Sequence, residues 1–88
     1  MRIAKKAQAG TMQSSDLVVV VEPGEGLTVE IESTVKRQFE HLIRAAVEAA
    51  LRDRGVTEGR VRVSDRGALD YAIRARVEAA ILRAGGEG

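Results

Sequence analysis

Two adjacent hydroxyls, Ser14 and Ser15, stand between Gln13 and Asp16 in the stretch AGTMQSSDLVVVVEP, residues 9–23. Nothing beside them in the sequence is a base that would turn a hydroxyl into a nucleophile. A hydroxyl that a separate enzyme modifies needs no such base, only exposure at a protruding tip. The same residues also suit an ordinary tight turn, where Ser and Asp side chains bond the local backbone. On the residues alone both readings stand.

The other candidates for chemistry are weaker. His41 is the only histidine. It falls on the charged side of a predicted helix, away from Phe39, Leu42 and Ile43, and reads as a solvent-facing residue because a general base needs a positioned partner. The glycines form neither GxGxxG nor a P-loop, and the carboxylates lack metal-ligand spacing. There is no cysteine, which excludes a disulfide framework, a thiolate metal site and a cysteine nucleophile. No catalytic residue and no metal site is expected.

Charge and composition narrow the partners. Fourteen Lys and Arg against thirteen Asp and Glu leave a net charge of +1, and one Phe, one Tyr and no Trp offer few rings for stacking. Neither is the footprint of a nucleic-acid binder. No apolar run is long enough to span a membrane and residues 1–10 lack the apolar core of a secretory signal, so a cytoplasmic location and no membrane partner are expected.

The 88 residues allow one domain, near the size at which a single core is marginal. Residues 4–12 read as a first strand. LVVVV, residues 17–21, suits a strand buried on both faces in the middle of a sheet. PGEG is a turn, and Leu27, Val29 and Ile31 then alternate with Thr28, Glu30 and Glu32, so residues 16–32 read as a β-hairpin. From Ser33 the period becomes helical, with Val35, Phe39, Leu42, Ile43, Ala46, Val47, Ala50 and Leu51 on one side and Ser33 or Thr34 as N-cap. The opposite side sets Glu40, Arg44, Glu48 and Arg52 at ion-pairing spacing, and Gly55 with Val56 closes the helix.

RVRVS, residues 60–64, is a further short strand. A second helix is expected from Asp65 or Arg66 to Ala84. It carries one apolar stripe of Leu69, Ala72, Ile73, Ala80 and Ile81 and another of Tyr71, Ala75, Ala79 and Leu82, where a surface helix needs only one. The expected fold is α+β, order β-β-β-α-β-α: a small, mostly antiparallel sheet of hairpins plus a later strand, with two amphipathic helices on one face. Residues 1–84 form the single domain and residues 85–88 a frayed tail.

AGTMQSSD, STVKRQFEHLIR of the first helix and DRGALDYAIRARVEAA of the second together resemble the acyl carrier protein, or gamma subunit, of citrate lyase, over almost the whole chain. The resemblance implies a carrier that breaks no bonds itself. Ser14 then corresponds to the serine esterified through a phosphate to a 2'-(5''-phosphoribosyl)-3'-dephospho-CoA group, whose thiol carries acetyl or citryl. Gly10, Thr11, Gln13, Ser15 and Asp16 form its presentation loop. It implies as partners an alpha subunit that exchanges acetyl for citryl, a beta subunit that releases oxaloacetate, and a transferase that attaches the group. Arg74 and Arg76 match an RAR element of that family and are candidate phosphate donors. On helical spacing alone, Arg74 pairs with Asp70 or Glu78, and the stem of Arg76 lies over the apolar face. The chain departs from the family pattern at Gln13, usually Glu, at Tyr71, often Cys, and in its short C-terminus. The alternatives are the carrier of a related complex such as malonate decarboxylase, or an interaction domain of the same fold without the group.

Overall fold

A computed structural model describes residues 1–33 and 39–85. The elements are β1 (Ala7–Gly10), β2 (Leu17–Glu22), β3 (Leu27–Ser33), α1 (Glu40–Asp53), β4 (Gly59–Asp65) and α2 (Asp70–Ala84). The four strands form one sheet in the order β1-β2-β4-β3. β1 and β2 are an antiparallel hairpin, β2 and β4 are antiparallel, and β3 and β4 are parallel. Both helices pack on one face, as the α+β reading expects.

The hairpin expected over residues 16–32 does not form, because β4 lies between β2 and β3. Residues 23–26 therefore cross two inter-strand spacings, roughly 10 Å, and Gly59 N–H fastens the end of that crossing to the Gly26 carbonyl at 2.9 Å. The physical reason lies in the two strands' compositions. Valine-rich β2 gains a paired neighbour on each side, while β3, with Glu30 and Glu32, is left at the edge, where charged side chains discourage further pairing. The parallel β3–β4 pair needs a crossover, which α1 supplies.

β2 is central, but it is not buried on both faces. Leu17, Val19 and Val21 are fully buried against the helices, while Val18 and Val20 are half-buried on the far face, beside Ser64 and Arg62 of β4. In β4 the expected alternation holds, with Val61 and Val63 buried and Arg60 and Arg62 exposed. The core combines these residues with Ile43, Val47, Ala50 and Leu51 of α1 and Ile73, Val77, Ala80, Ile81 and Ala84 of α2.

Helix ends separate sequence from structure most clearly. At the end of α1, Gly55 has φ +69°. Its N–H bonds the Arg52 carbonyl at 2.9 Å, and Val56 N–H bonds that of Leu51 at 3.0 Å. This double closure, with Val56 and Leu51 both buried, is the glycine cap that the sequence indicates. Ser33 ends β3, and its hydroxyl donates to Asp65 Oδ2 at 3.0 Å; the residues that it would cap lie outside the described ones. The other candidate, Thr34, and also Val35 lie outside the described residues, as do residues 86–88 of the tail.

α2 begins at Asp70, not at Asp65 or Arg66. Asp65 is the last residue of β4 and is 2 % exposed. Its carboxylate accepts the Gly67 and Ala68 N–H groups at 3.1 and 3.0 Å, together with the Ser33 hydroxyl. The carboxylate bonds the amides two and three residues on, as an N-cap does, but Gly67, at φ +89°, turns the chain away from helical geometry and no helix follows until Asp70.

Among the described residues, the ion pairs join different elements, and the series expected along α1 is not among them. Arg54 meets Glu78, Arg74 meets Asp53, Arg76 meets Asp16, and Arg60 meets Glu22 across the strands. Arg44 donates instead to the Val29 carbonyl of β3 at 3.0 Å. Replacing Asp65 by Ala leaves three half-buried donors without this acceptor and empties a buried site, so urea unfolding of Asp65→Ala is expected to report a loss of about 2–4 kcal/mol. Asp65→Asn, which keeps one acceptor oxygen, should lose distinctly less; equal losses would assign the effect to packing rather than to the donors.

Candidate functional site

The tip of the β1–β2 hairpin is residues 11–16, and its neck is unusually tight. Gly10 has φ +104°, and a Cβ there would stand 1.8 Å from the Leu17 carbonyl oxygen. Only glycine lets β1 approach β2 so closely before the strands part. Thr11 N–H then bonds that same carbonyl at 3.1 Å and shuts the neck.

Within the tip, Asp16 N–H bonds the Gln13 carbonyl at 3.2 Å, so Gln13, Ser14, Ser15 and Asp16 make a β-turn. Ser15, its third residue, has φ +65°, the position at which a type II turn takes positive φ. Ser15 N–H bonds the Arg66 carbonyl at 2.8 Å, and Arg66 N–H bonds the Asp16 carbonyl at 2.9 Å. Ser14 stands at the corner. Both serines are exposed, and neither side-chain hydroxyl has a partner among the described residues.

Asp16 organises the tip. Its Oδ2 accepts the Thr11 hydroxyl at 2.6 Å and Arg76 Nη2 at 2.9 Å; its Oδ1 accepts the Leu17 N–H at 2.8 Å and Arg76 Nε at 3.2 Å. The carboxylate thus accepts four donors, two from one guanidinium in the bidentate geometry that favours arginine. The Arg76 guanidinium first, then the Thr11 hydroxyl and the Leu17 amide, hold the Asp16 carboxyl far below the usual carboxylate range. Thr11 Oγ1 also accepts the Gln13 N–H, at 3.3 Å.

The structure therefore brings Gly10, Thr11, Gln13, Ser14, Ser15 and Asp16 together in one loop, and gives each a different physical part. It also places Arg76 there, across sixty residues of sequence, which helical spacing had assigned to covering apolar surface. Arg74 turns to the opposite side of α2, toward Asp53, rather than to Asp70 or Glu78. A guanidinium and a carboxylate on separate elements leave no periodic signal, so the Asp16–Arg76 pair was not legible from spacing. His41 is exposed on α1, as its place on the charged side implies. Among the described residues, no cluster of His, Asp and Glu has the arrangement to hold a metal ion.

The lowered Asp16 carboxyl sets a pH dependence. Unfolded Asp takes its proton near pH ~4, whereas folded Asp16 resists it, so its contribution is complete above that pH and is lost as pH falls toward the folded value. Urea midpoints of the parent and Asp16→Asn are therefore expected to differ most above pH ~4 and to converge toward pH ~2. A gap constant over that range would mean that the carboxylate charge is not what fastens the tip.

Residues 4–84 match the family model described as malonate decarboxylase delta subunit (MdcD). The chain is 53% identical to the citrate lyase acyl carrier protein of Pectobacterium atrosepticum, over 96% of this chain and 88% of that protein. It is also 53% identical to the one of Albidiferax ferrireducens, over 99% and 91%. Among solved structures, a chain of a Pseudomonas malonate decarboxylase hetero-tetramer, crystallised with malonate, superposes with a TM-score of 0.77 at 20% identity, covering 94% of this chain and 87% of that one, which establishes the shared fold. An exposed serine turn on a small α+β scaffold, with these relatives along nearly its whole length, places the chain in the citrate lyase acyl carrier protein family, within the wider group that the malonate decarboxylase delta subunit model describes.

Proposed function

We propose that this chain is the acyl carrier subunit of citrate lyase, with Ser14 as the residue to which a 2'-(5''-phosphoribosyl)-3'-dephospho-CoA group is esterified through a phosphate. The observation that carries the reading is the Ser14 hydroxyl, exposed and without a partner among the described residues, at the corner of a turn that Asp16, Thr11 and Arg76 tie together. The residues fit such a group. A transferase needs an exposed hydroxyl that is not engaged in the fold, and Ser14 offers one.

When bound, the group supplies the thiol that carries the acetyl or citryl unit, which the chain, having no cysteine, does not provide itself. The chain's own task is to hold one end of a long arm still. A rigid anchor keeps the free end within a fixed radius, and so at high effective concentration for the alpha and beta subunits in turn. Ser15 differs from Ser14 in being held through its backbone in a left-handed conformation, with its N–H tied to Arg66. That conformation serves the turn, which supports Ser14 as the anchor.

The second reading, a carrier for malonate decarboxylase, draws on the family model and the shared fold. Turnover of citrate against malonate by the reconstituted complexes separates the two. For attachment itself, the chain is co-expressed with a citrate lyase prosthetic-group transferase and the enzyme that forms its cofactor, and weighed intact. The expected outcome is a mass increase matching the group, mapped to Ser14, with Ser14→Ala folded by circular dichroism but never loaded and Ser15→Ala still loaded. Loading that survives Ser14→Ala and fails in Ser15→Ala would move the anchor by one residue; no loading in an active system would overturn the carrier reading.

A further inference from the structure

Beside Ser14 the surface falls into an open depression of about 460 Å³ between the hairpin tip and the N-terminal half of α2. It is lined by residues 13–16 of the tip, Ser14 and Ser15 among them, and by Tyr71, Ala72, Ala75 and Arg76 of α2. Tyr71 is 73% exposed, the most exposed of the large apolar side chains among the described residues. The alanines let an incoming ring approach the helix backbone, and the tyrosine offers a flat face for it to stack on. Arg76 brings no free charge, since its guanidinium is already forked onto Asp16.

We infer that this depression is a resting seat for the adenine ring of the group carried on Ser14, stacked on Tyr71. The inference rests on the carrier reading above. The occupant follows from where the depression lies: the proposed point of attachment is part of its wall, so the tethered nucleotide is present there at an effective concentration that no free ligand or transient partner matches. In the proposed group, only a phosphate and two ribose rings separate Ser14 Oγ from the purine. Every base has a π face for an aromatic side chain to stack on, and the polar contacts of the tip stay intact beneath it. With the purine seated, the first part of the arm is fixed and only the pantetheine end sweeps, which narrows the volume searched by the thiol.

Tyr71 is the only tyrosine and the chain has no tryptophan, so its emission reports this seat alone. The test compares the isolated chain loaded on Ser14, with loading verified by intact mass, against the unloaded chain containing an equimolar amount of free dephospho-CoA to match absorption. Base–aromatic stacking favours the seated form about fivefold even at its weak end, so tyrosine emission is expected to fall by roughly that factor on loading. Ala75→Gln, an exposed helix position where a longer side chain fills the depression, should load normally and recover the emission.

Loaded chain with the emission of unloaded chain would overturn the seat and leave the carrier function standing. A chain that an active system does not load would remove both readings together.

Discussion

β4 enters the sheet between β2 and β3, and the geometry of the hairpin tip depends on that insertion. Antiparallel pairing to β2 in the register Leu17↔Asp65 brings the end of β4 level with the start of β2. Arg66 can then exchange backbone hydrogen bonds with Ser15 and Asp16, extending the ladder past the last strand residue into the turn. Asp65, at the same level, holds the next two amides and delays the helix until Asp70. α2 consequently starts beside the tip, and Arg76 arrives at the height of Asp16. Had β2 and β3 paired as a hairpin, β4 would lie elsewhere and the tip would have lost its backbone support.

A carboxylate with four donors is an economical way to stiffen a surface loop. Two of the donors come from the loop and its neighbouring strand, Thr11 and Leu17, and the other two from α2, so one small group ties three segments together. An exposed ion pair contributes little by itself, because solvent screens it and two side chains are immobilised. Here the bidentate fork and the accompanying hydrogen bonds make the arrangement directional, which is what the proposed anchor at Ser14 needs. The left-handed Ser15 is strain of the kind that persists only where the surroundings over-determine it. The Arg66 contacts supply that constraint.

How much of this was legible depended on whether a feature is local. The valine run as a strand, the alternation in β4 and the Gly55 cap are local, and each appears where the sequence puts it; of the apolar side expected for α1, Ile43, Val47, Ala50 and Leu51 are buried, whereas Phe39 and Leu42 are exposed. The order of the elements follows. What failed was pairing. PGEG between two strand patterns looks the same whether the strands pair directly or across an inserted third, because the choice is made by a segment some thirty residues further on. Asp65 was misassigned to a helix for a related reason: an aspartate before a helical pattern looks like an N-terminal signal, and only its burial at the strand end distinguishes it. The serine pair was visible at once, but its neighbour Arg76 was visible only as part of a motif.

α2 resolves its two apolar stripes by giving them different environments. Ile73, Val77, Ala80, Ile81 and Ala84 close the core, while Tyr71, Ala75 and Leu82 face away from it and stay exposed, with Ala79 half-buried between. Its flanks are polar and specific: Arg74 and Glu78 reach Asp53 and Arg54 around the end of α1, and Arg76 and Arg83 reach Asp16 and the Gln8 carbonyl of the β1–β2 hairpin. The helix is thus tied on both flanks by side chains of fixed direction, in addition to the non-directional packing of its buried stripe. Rotation is the degree of freedom that matters here. A turn of one residue about the helix axis would carry Arg76 away from Asp16 and Tyr71 away from Ser14 at once, so the flanking pairs that look like ordinary surface electrostatics set the alignment of the hairpin tip with the face beside it.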